Sequence, residues 1–502
     1  MSDKSTIPPL PRYLYLADQV RELDKLFSET QKIPAIVLMK RAGRAAFTLL
    51  ETLFPHGSIT VLCGAGNNAG DGFVVAALAA QAKRDVQVLY VAAPQDLRGD
   101  ALKAYEYAKQ EGVKILPYST GAARHLPDGC VIVDALVGIG LNGELRANIQ
   151  DIIKEVNETG LPVLALDVPS GLCANTGRTL GETIRAVATI TFIGCKAGLL
   201  TGRAPAFTGD VYFDDLGAPR SLYSAFSPAA FTVDYDSLKG QLPLKEADAH
   251  KGQYGHVLVV GGDTGMGGAA IMAAEAAAMA GAGMVSLATQ PAHVVAALVR
   301  KPEVMSSGVD AASQLLPLLE RPTVIAAGPG MGQSSWSEQL LQQVLKTNKP
   351  LVLDADALNL LADRLDKYAK RGNWVLTPHP GEAARLLHTS VAVIQQNRFE
   401  AVAEIQRMYG GVVVLKGAGT LICDGMTTIV AKVGNPGLAT AGSGDVLTGV
   451  IAALIGQGLD LSTAAQMGVC VHGEAGDMLA AEHGQFGLAA SDLAPLVRKV
   501  LS

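Results

Sequence analysis

"SITVLCGAGNNAGDGFVVAALAAQAK", Ser58 to Lys83, decides the fold class. A β-rich run ends in glycines, polar residues follow, and an apolar segment of helix length comes next. That order is the strand–loop–helix unit of α/β proteins with parallel strands. Backbone N–H groups at the start of such a helix can hold a phosphate. Gly64, Gly66 and Ala69 satisfy a loose G-x-G-x-x-A dinucleotide pattern. A dinucleotide dehydrogenase also wants an acidic residue at the end of the second strand, and here that strand ends "VLYVAAP". Ordinary hydride transfer is disfavoured on that ground.

The same unit recurs outward from this stretch. "DVQVLYVAA", "CVIVDALVG" and "PVLALDVPSG" follow in the first half, and "GHVLVVGG", "MVSLAT", "TVIAAGPG", "PLVLDAD", "NWVLTPHPG" and "GVVVLKGAG" in the second. A chain of 502 residues exceeds one ordinary core, since domains run to about 100–250 residues. Residues 217–250 carry proline and serine but no sustained period. The expected boundary therefore lies near residue 225, giving domains 1–225 and 226–502.

Composition narrows the function classes. The 49% apolar and 18% charged residues, with 55 glycines, suit buried parallel sheets joined by tight loops. A net charge of -6 and no clustered Lys/Arg run argue against a nucleic-acid or anionic-membrane partner. The six cysteines are scattered, with no CxxC pair, and read as reduced thiols of a cytoplasmic protein. "MSDKSTIPPLPRYLYL" lacks signal-peptide order. "GGAAIMAAEAAAMAGAGMVSLA" is small-residue-rich and broken by Glu275, and it reads as a helix packed on a sheet followed by a strand, not as a membrane span.

Polar residues gather where strands end. "NNAGDG", "VDALVGIGLNGE" and "ALDVPSGL" place Asn68, Asp134 and Ser170 at successive strand ends, which in an open α/β sheet converge on one crevice. Their oxygens suit a hard cation, and glycine amides from Gly138 to Gly143 suit phosphate. Read singly, each is a helix cap or turn residue. Three at successive strand ends favour a site.

In the second half, "AGSGDVLTG" (Ala441 to Gly449) opens a helix near Gly444 with Asp445 in its first turn. Unpaired N–H groups and the helix dipole there favour an anion, although aspartate also caps helices that bind nothing. No G-x-x-x-x-G-K-[ST] occurs, which excludes a P-loop enzyme. "GPGMG", "DADALN", "TPHPGE" and "KGAGT" each follow an expected strand.

"NNAGDGFV", "VDALVGIGLNGE", "LDVPSGL" and "TFIGCKAGL" resemble the N-terminal domain of the NAD(P)HX epimerases, over most of residues 10–215. The resemblance implies a Rossmann-like three-layer fold. It implies that Asn67, Asn68, Ala69, Gly70 and Asp71, with Gly138, Ile139, Gly140, Leu141, Asn142, Gly143 and Glu144, hold the pyrophosphate of NADHX or NADPHX. Asn68, Asp134 and Ser170 would bind K+, and Asp167 would meet the hydrated ring. Epimerising a carbon that bears a hydroxyl next to a ring nitrogen needs proton traffic, which a carboxylate supplies. Lys196 in "GCKAG" is either a second charged group at the site or a strand-end lysine with its head in water.

The later motifs, with "HKGQYGHVLVVGG" and "NPGLATAGSGDVLTG", resemble the ribokinase-like ADP/ATP-dependent NAD(P)HX dehydratases over roughly residues 230–500. That resemblance implies a ribokinase-like α/β domain in which Lys416, Gly417, Ala418, Gly419, Thr420 and Gly444 line the nucleotide. Asp445 would act at the hydrate, with Gly268, Met331 and His379 in contact with it. Met331 alone reads as packing, and His379 alone as a turn residue between two prolines. ADP is the expected co-substrate, with Mg2+ on its phosphates. The combined resemblance implies a homo-oligomer, a tetramer or higher. The rival readings are a vitamin-precursor kinase of the same superfamily and, for the first half, a non-enzymatic scaffold.

Overall fold

The computed structural model describes residues 10–140, 143–243, 246–363 and 370–502. The chain divides between Phe231 and Thr232 into two compact units.

The first unit begins with β1 (Tyr13–Tyr15) and a helix, Ala17–Gln31. Its main sheet comprises β2 (Ile59–Cys63), β3 (Val86–Tyr90), β4 (Lys114–Pro117), β5 (Val131–Ala135), β6 (Val163–Leu166), β7 (Ala188–Phe192) and β9 (Asp210–Asp214). These lie in the order β4-β3-β2-β5-β6-β7-β9, every pair parallel. The inner strands β2, β5, β6 and β7 are buried along their whole length, which explains their unbroken apolar runs. A short β8 (Cys195–Lys196) pairs with β1, which also takes Ala230 and Phe231 of β10 (Ala230–Val233) antiparallel.

The order reverses direction between β2 and β5. Ligands of open α/β sheets bind at such switch points, beyond the carboxyl ends of the strands. The loop from Gly64 into the helix Asn67–Gln81 leaves β2 there, and the loop from Leu136 to Gly140 leaves β5. Gly64 is required by the close approach, since a Cβ on it would fall 1.9 Å from the Leu136 carbonyl oxygen.

The second unit holds β11 (His256–Val260), β12 (Met284–Thr289), β13 (Met305–Gly308), β14 (Val324–Ala327), β15 (Leu351–Leu353), β16 (Trp374–Leu376), β17 (Val412–Leu415), β18 (Thr420–Cys423) and β19 (Thr428–Ala431). They run β13-β12-β11-β14-β15-β16-β17-β18-β19. Pairing is parallel through β17 and antiparallel beyond it. The antiparallel end was not anticipated, because the two short strands have no helix between them to announce a crossover. Here the switch point lies between β11 and β14.

The Ala/Gly-rich segment forms the helix Gly267–Met279 followed by β12, as expected. Among the described residues no helix is long and apolar enough to cross a membrane. Small residues let this helix lie close to Ser443–Gly456, where a Cβ on Gly449 would sit 2.1 Å from the Ala273 carbonyl oxygen.

Candidate active sites

In the first unit a cavity of about 1390 Å³ opens over the switch point. Asn67, Asn68 and Asp71 line it from the helix start after β2, and Gly138, Ile139, Gly140 and Glu144 line it from the loop after β5. Asp167 and Lys196 form part of the same wall. Ala69 and Gly70 lie buried in the first turn of their helix, and Gly143 turns at φ +88°. Leu141 and Asn142 lie outside the described residues.

Asp134 is fully buried near the end of β5. Its carboxylate accepts from the Ser170 backbone N–H at 2.8 Å and the Ser170 hydroxyl at 2.6 Å. Burial lifts its pKa to about 6, against the opposing pull of Ser170 and the Leu136 amide. Both amide atoms of Asn68 are buried with no hydrogen-bond partner, an arrangement that costs energy unless something else occupies it. An unpartnered amide oxygen, a hydroxyl and a carboxylate make a donor set for a hard cation.

Asp167 follows β6 in the left-handed region, φ +66°, a conformation that a non-glycine residue adopts at a cost of order 1–3 kcal/mol. The cost is met by a fixed partner: Lys196 forms an ion pair with the Asp167 carboxylate. The Lys196 ammonium also donates to the Thr191 hydroxyl at 2.9 Å and the Phe192 carbonyl at 3.1 Å. At 1% exposure, Lys196 does not keep its head in water, and that alternative is overturned. Sequence spacing hides this, because β8 carries Lys196 inward only after β1 pairs with it.

Asp71 and Asp24 face the same cavity. Burial, then the nearby Asp167 and Asp24 carboxylates, push the Asp71 pKa well above the ordinary range. Burial likewise raises Asp24, with Lys196 opposing. Asp24, and Arg21, which donates to the Ile139 carbonyl at 2.7 Å, were not anticipated. Their helix lies more than thirty residues before the first glycine loop, and nothing in its pattern marks it as part of a site.

In the second unit the carboxyl ends of β14 to β17 bring the later motifs together. Asp354, buried at the start of the helix Ala355–Ala362, accepts from the Lys416 ammonium at 2.6 Å and the Thr448 hydroxyl at 2.8 Å. Glu382 lies 3.9 Å from Lys416. Burial opposes the charge on Lys416, but Asp354 and Glu382 outweigh it and raise its pKa. Gly444 leaves room at this point, since a Cβ there would stand 3.1 Å from the Lys416 ammonium.

Asp445 sits in the first turn of Ser443–Gly456. Burial, followed by the charge of Asp354, raises its pKa to about 7. Burial raises Glu382 as well, against the pull of Lys416. His379 caps the helix Pro380–Leu386, its Nδ1 accepting from the Gly381 N–H at 2.9 Å. Its proton then resides on Nε2, 3.2 Å from Glu382 Oε1. Gly417 and Ala418 are exposed, and the Thr420 hydroxyl closes their turn by donating to the Gly417 carbonyl at 2.9 Å. Gly419 turns at φ +58°. Gly268 is exposed at the start of its helix with open space around it. Met331 is fully enclosed, its carbonyl accepting from the Ser337 hydroxyl, so the structure leaves it in the packing and not on an open wall.

Asp354, Asp356 and Glu382 were missed as individual residues although their motifs were noted. Asp356 accepts from the Gly332 N–H at 2.7 Å, tying "DADALN" to "GPGMG". Among the described residues no three His, Cys, Asp or Glu side chains converge as a metal site. A magnesium ion held mainly by nucleotide phosphates and water needs only one or two protein carboxylates.

The sequence profile of the NAD(P)H-hydrate dehydratase family matches residues 257–499, and that of the YjeF-related protein N-terminus matches 35–198. The bifunctional NAD(P)H-hydrate repair enzyme of Coxiella burnetii is 46% identical over 97% of this chain and 99% of its own. The enzyme of that description from Escherichia coli is 39% identical over 98% of this chain and 95% of its own. The crystal structure of the ADP/ATP-dependent NAD(P)H-hydrate dehydratase of Bacillus subtilis, co-crystallised with ATP/Mg2+, covers 54% of this chain and 96% of its own, with 32% identity and a TM-score of 0.50. A ribokinase-like superfamily protein from Enterococcus faecalis covers 55% of this chain and 96% of its own, with 28% identity and a TM-score of 0.52.

Proposed function

The chain belongs to the family of bifunctional NAD(P)H-hydrate repair enzymes, and from that premise we propose that its two units perform the two halves of one repair. The first interconverts the R and S hydrates of NADH and NADPH. The second dehydrates the S form at the expense of ADP, giving NAD(P)H, AMP and phosphate.

In the first unit the hydrate's pyrophosphate lies against the Asn67–Asp71 helix start and the Gly138 loop, which offer backbone N–H groups and a dipole. Its ring reaches Asp167 and Lys196. A proton given to the ring hydroxyl lets the ring nitrogen's lone pair expel it as water. Water returns to the opposite face and gives up a proton. Lys196 is the donor and Asp167 the acceptor, already paired and held against the cavity wall. Asn68, Asp134 and Ser170 would hold potassium, which balances the buried carboxylate and lends positive potential to the phosphate loop. The unpartnered Asn68 amide supports that assignment.

In the second unit Lys416 to Thr420 and Gly444 take the nucleotide, with Gly268 and His379 on the hydrate. Asp445 accepts the ring hydroxyl's proton as that oxygen attacks the terminal phosphate of ADP. The ester formed replaces a poor leaving group, hydroxide, by phosphate. The ring nitrogen then expels phosphate, and loss of a proton from the adjacent ring carbon restores the dihydronicotinamide. Asp354 holds Lys416 in place, where its charge offsets the phosphate oxygens. Magnesium, bound through the nucleotide with Glu382 or Asp354 nearby, would spread the same charge.

The observation that carries this reading is that in both units the loops beyond the carboxyl ends of the parallel strands hold a lysine–carboxylate pair, in a chain that matches a repair enzyme over 97% of its length. A vitamin-precursor kinase would account for the second unit alone. The test is stoichiometric: S-NADHX with ADP should yield NADH, AMP and phosphate in equal amounts. Phosphate retained on the nicotinamide product would refute it. Epimerisation should slow when potassium is replaced by tetramethylammonium, and Asn68→Leu should abolish that response.

A further inference from the structure

His472 lies midway along the helix Leu461–His483, whose other buried residues are Ala, Gly, Val, Met, Cys and Leu. A buried polar ring needs a partner, and it has one. His472 Nε2 is 3.0 Å from the Ser443 carbonyl oxygen and 3.2 Å from the Ser443 hydroxyl. Burial lowers the ring's pKa to about 4, so it is neutral at physiological pH and carries a single N–H. A carbonyl only accepts, which fixes that proton on Nε2.

The Ser443 carbonyl and the Gly444 N–H belong to one peptide unit. A trans peptide is planar, with its C=O and N–H pointing opposite ways. Holding the Ser443 oxygen from the His472 side therefore aims the Gly444 N–H the other way, out of the helix start, where N–H groups have no partner within the helix. Gly444 has no side chain to brace it, and the N-cap Gly442 stands at φ +90°, so this first turn of the helix, with glycine on both sides of Ser443, depends more than most on contacts from outside it. We propose that His472 is a positioning residue for dehydration: it fixes the peptide plane that presents the Gly444 N–H to the transferring phosphate. This rests on the reading of the second unit as the dehydratase.

The packing around His472 does not do the same work. Gly468, one turn earlier on this helix, lets Ile451 approach, and a Cβ there would meet its Cγ1 at 2.6 Å. That contact sets the distance between the helices but grips no peptide plane at residue 443.

The test uses the full chain and three substitutions. Gln reaches as far as His and ends in an N–H donor. Asn is polar but too short, and Leu has a similar bulk with no donor. His472→Gln should dehydrate S-NADHX within about 3-fold of the parent. His472→Leu and His472→Asn should lose about 10–100-fold in kcat with KM for the hydrate within about 3-fold, because removing a well-aimed donor costs up to about 10²–10³. Epimerisation should be unchanged in all three. Parent-like kcat in His472→Leu would overturn the proposal, as would equal losses in Gln and Asn, which would mark a packing role. Should His472→Leu fail to fold, the Gln–Asn contrast decides alone. Failure of the parent chain to dehydrate would instead refute the dehydratase reading.

Discussion

Asp445 has to be ionised to accept a proton, and its environment holds its pKa at about 7. Below that value the carboxyl is protonated and cannot act as a base. The pH profile of kcat/KM for dehydration, which reports the free enzyme, should therefore rise through about pH 7 and level off above it. Asp445→Asn should lower kcat by about 10²–10⁴-fold, the usual worth of a general base, and remove that limb. A profile flat from pH 5 to 8 would count against Asp445 as the base. Lys196→Met should cut epimerisation by at least about 10²-fold, since it removes a proton donor and leaves the Asp167 charge unpaired in the cavity. Dehydration measured on S-NADHX in the same variant should be unchanged. Asp445 stood out in the sequence because it follows Gly444 in a glycine-rich loop, and Asp167 because it ends a β-rich run. The ion pairs and hydrogen bonds around the sites were not legible there. Lys196 is 29 residues from Asp167, and Asp354 is 62 from Lys416 and 94 from Thr448, so only the folded sheet brings them together.

Elements carry a different kind of constraint. The alternation of apolar runs and glycine loops was enough to identify β2, β3, β5, β6, β11, β12 and β14 to β17, whose order then puts every loop of the second site on one edge, but not the outer parallel strands β4, β9 and β13 or the buried β7. The antiparallel pair β18 and β19, and β1 pairing with β8, escaped notice because short strands joined across distance leave no period. The helix that presents Asp445 is held by close contact at Gly449. Gly449→Ala would drive a methyl group into the Ala273 carbonyl, and overpacking of this sort costs about 1–3 kcal/mol. A lower melting temperature for the second unit, with dehydration lost on warming before epimerisation, is the expected outcome. Gly268→Ala provides the contrast. Its Cβ meets nothing within 4 Å, so stability should hold or rise by up to about 1 kcal/mol from helix propensity, while KM for the hydrate increases. Equal melting temperatures for Gly449→Ala and the parent would contradict the packing account.

At the scale of the whole molecule, each of the two units of one chain carries a candidate site at the carboxyl ends of its parallel strands, and the proposed repair needs both. Damage produces two epimers, whereas a phosphoryl-transfer site built around one hydroxyl orientation accepts one. An Asp445→Asn chain should still interconvert R and S hydrates without forming NADH. An Asp167→Asn chain should consume the S hydrate and leave the R. The measurement that bears most directly on the account is NADH regenerated by the unmodified chain from an equal mixture of R- and S-NADHX with ADP in excess. Conversion of the whole mixture, matched mole for mole by AMP and phosphate, is the predicted result. A stall once the S form is spent, or no NADH at all, would contradict it.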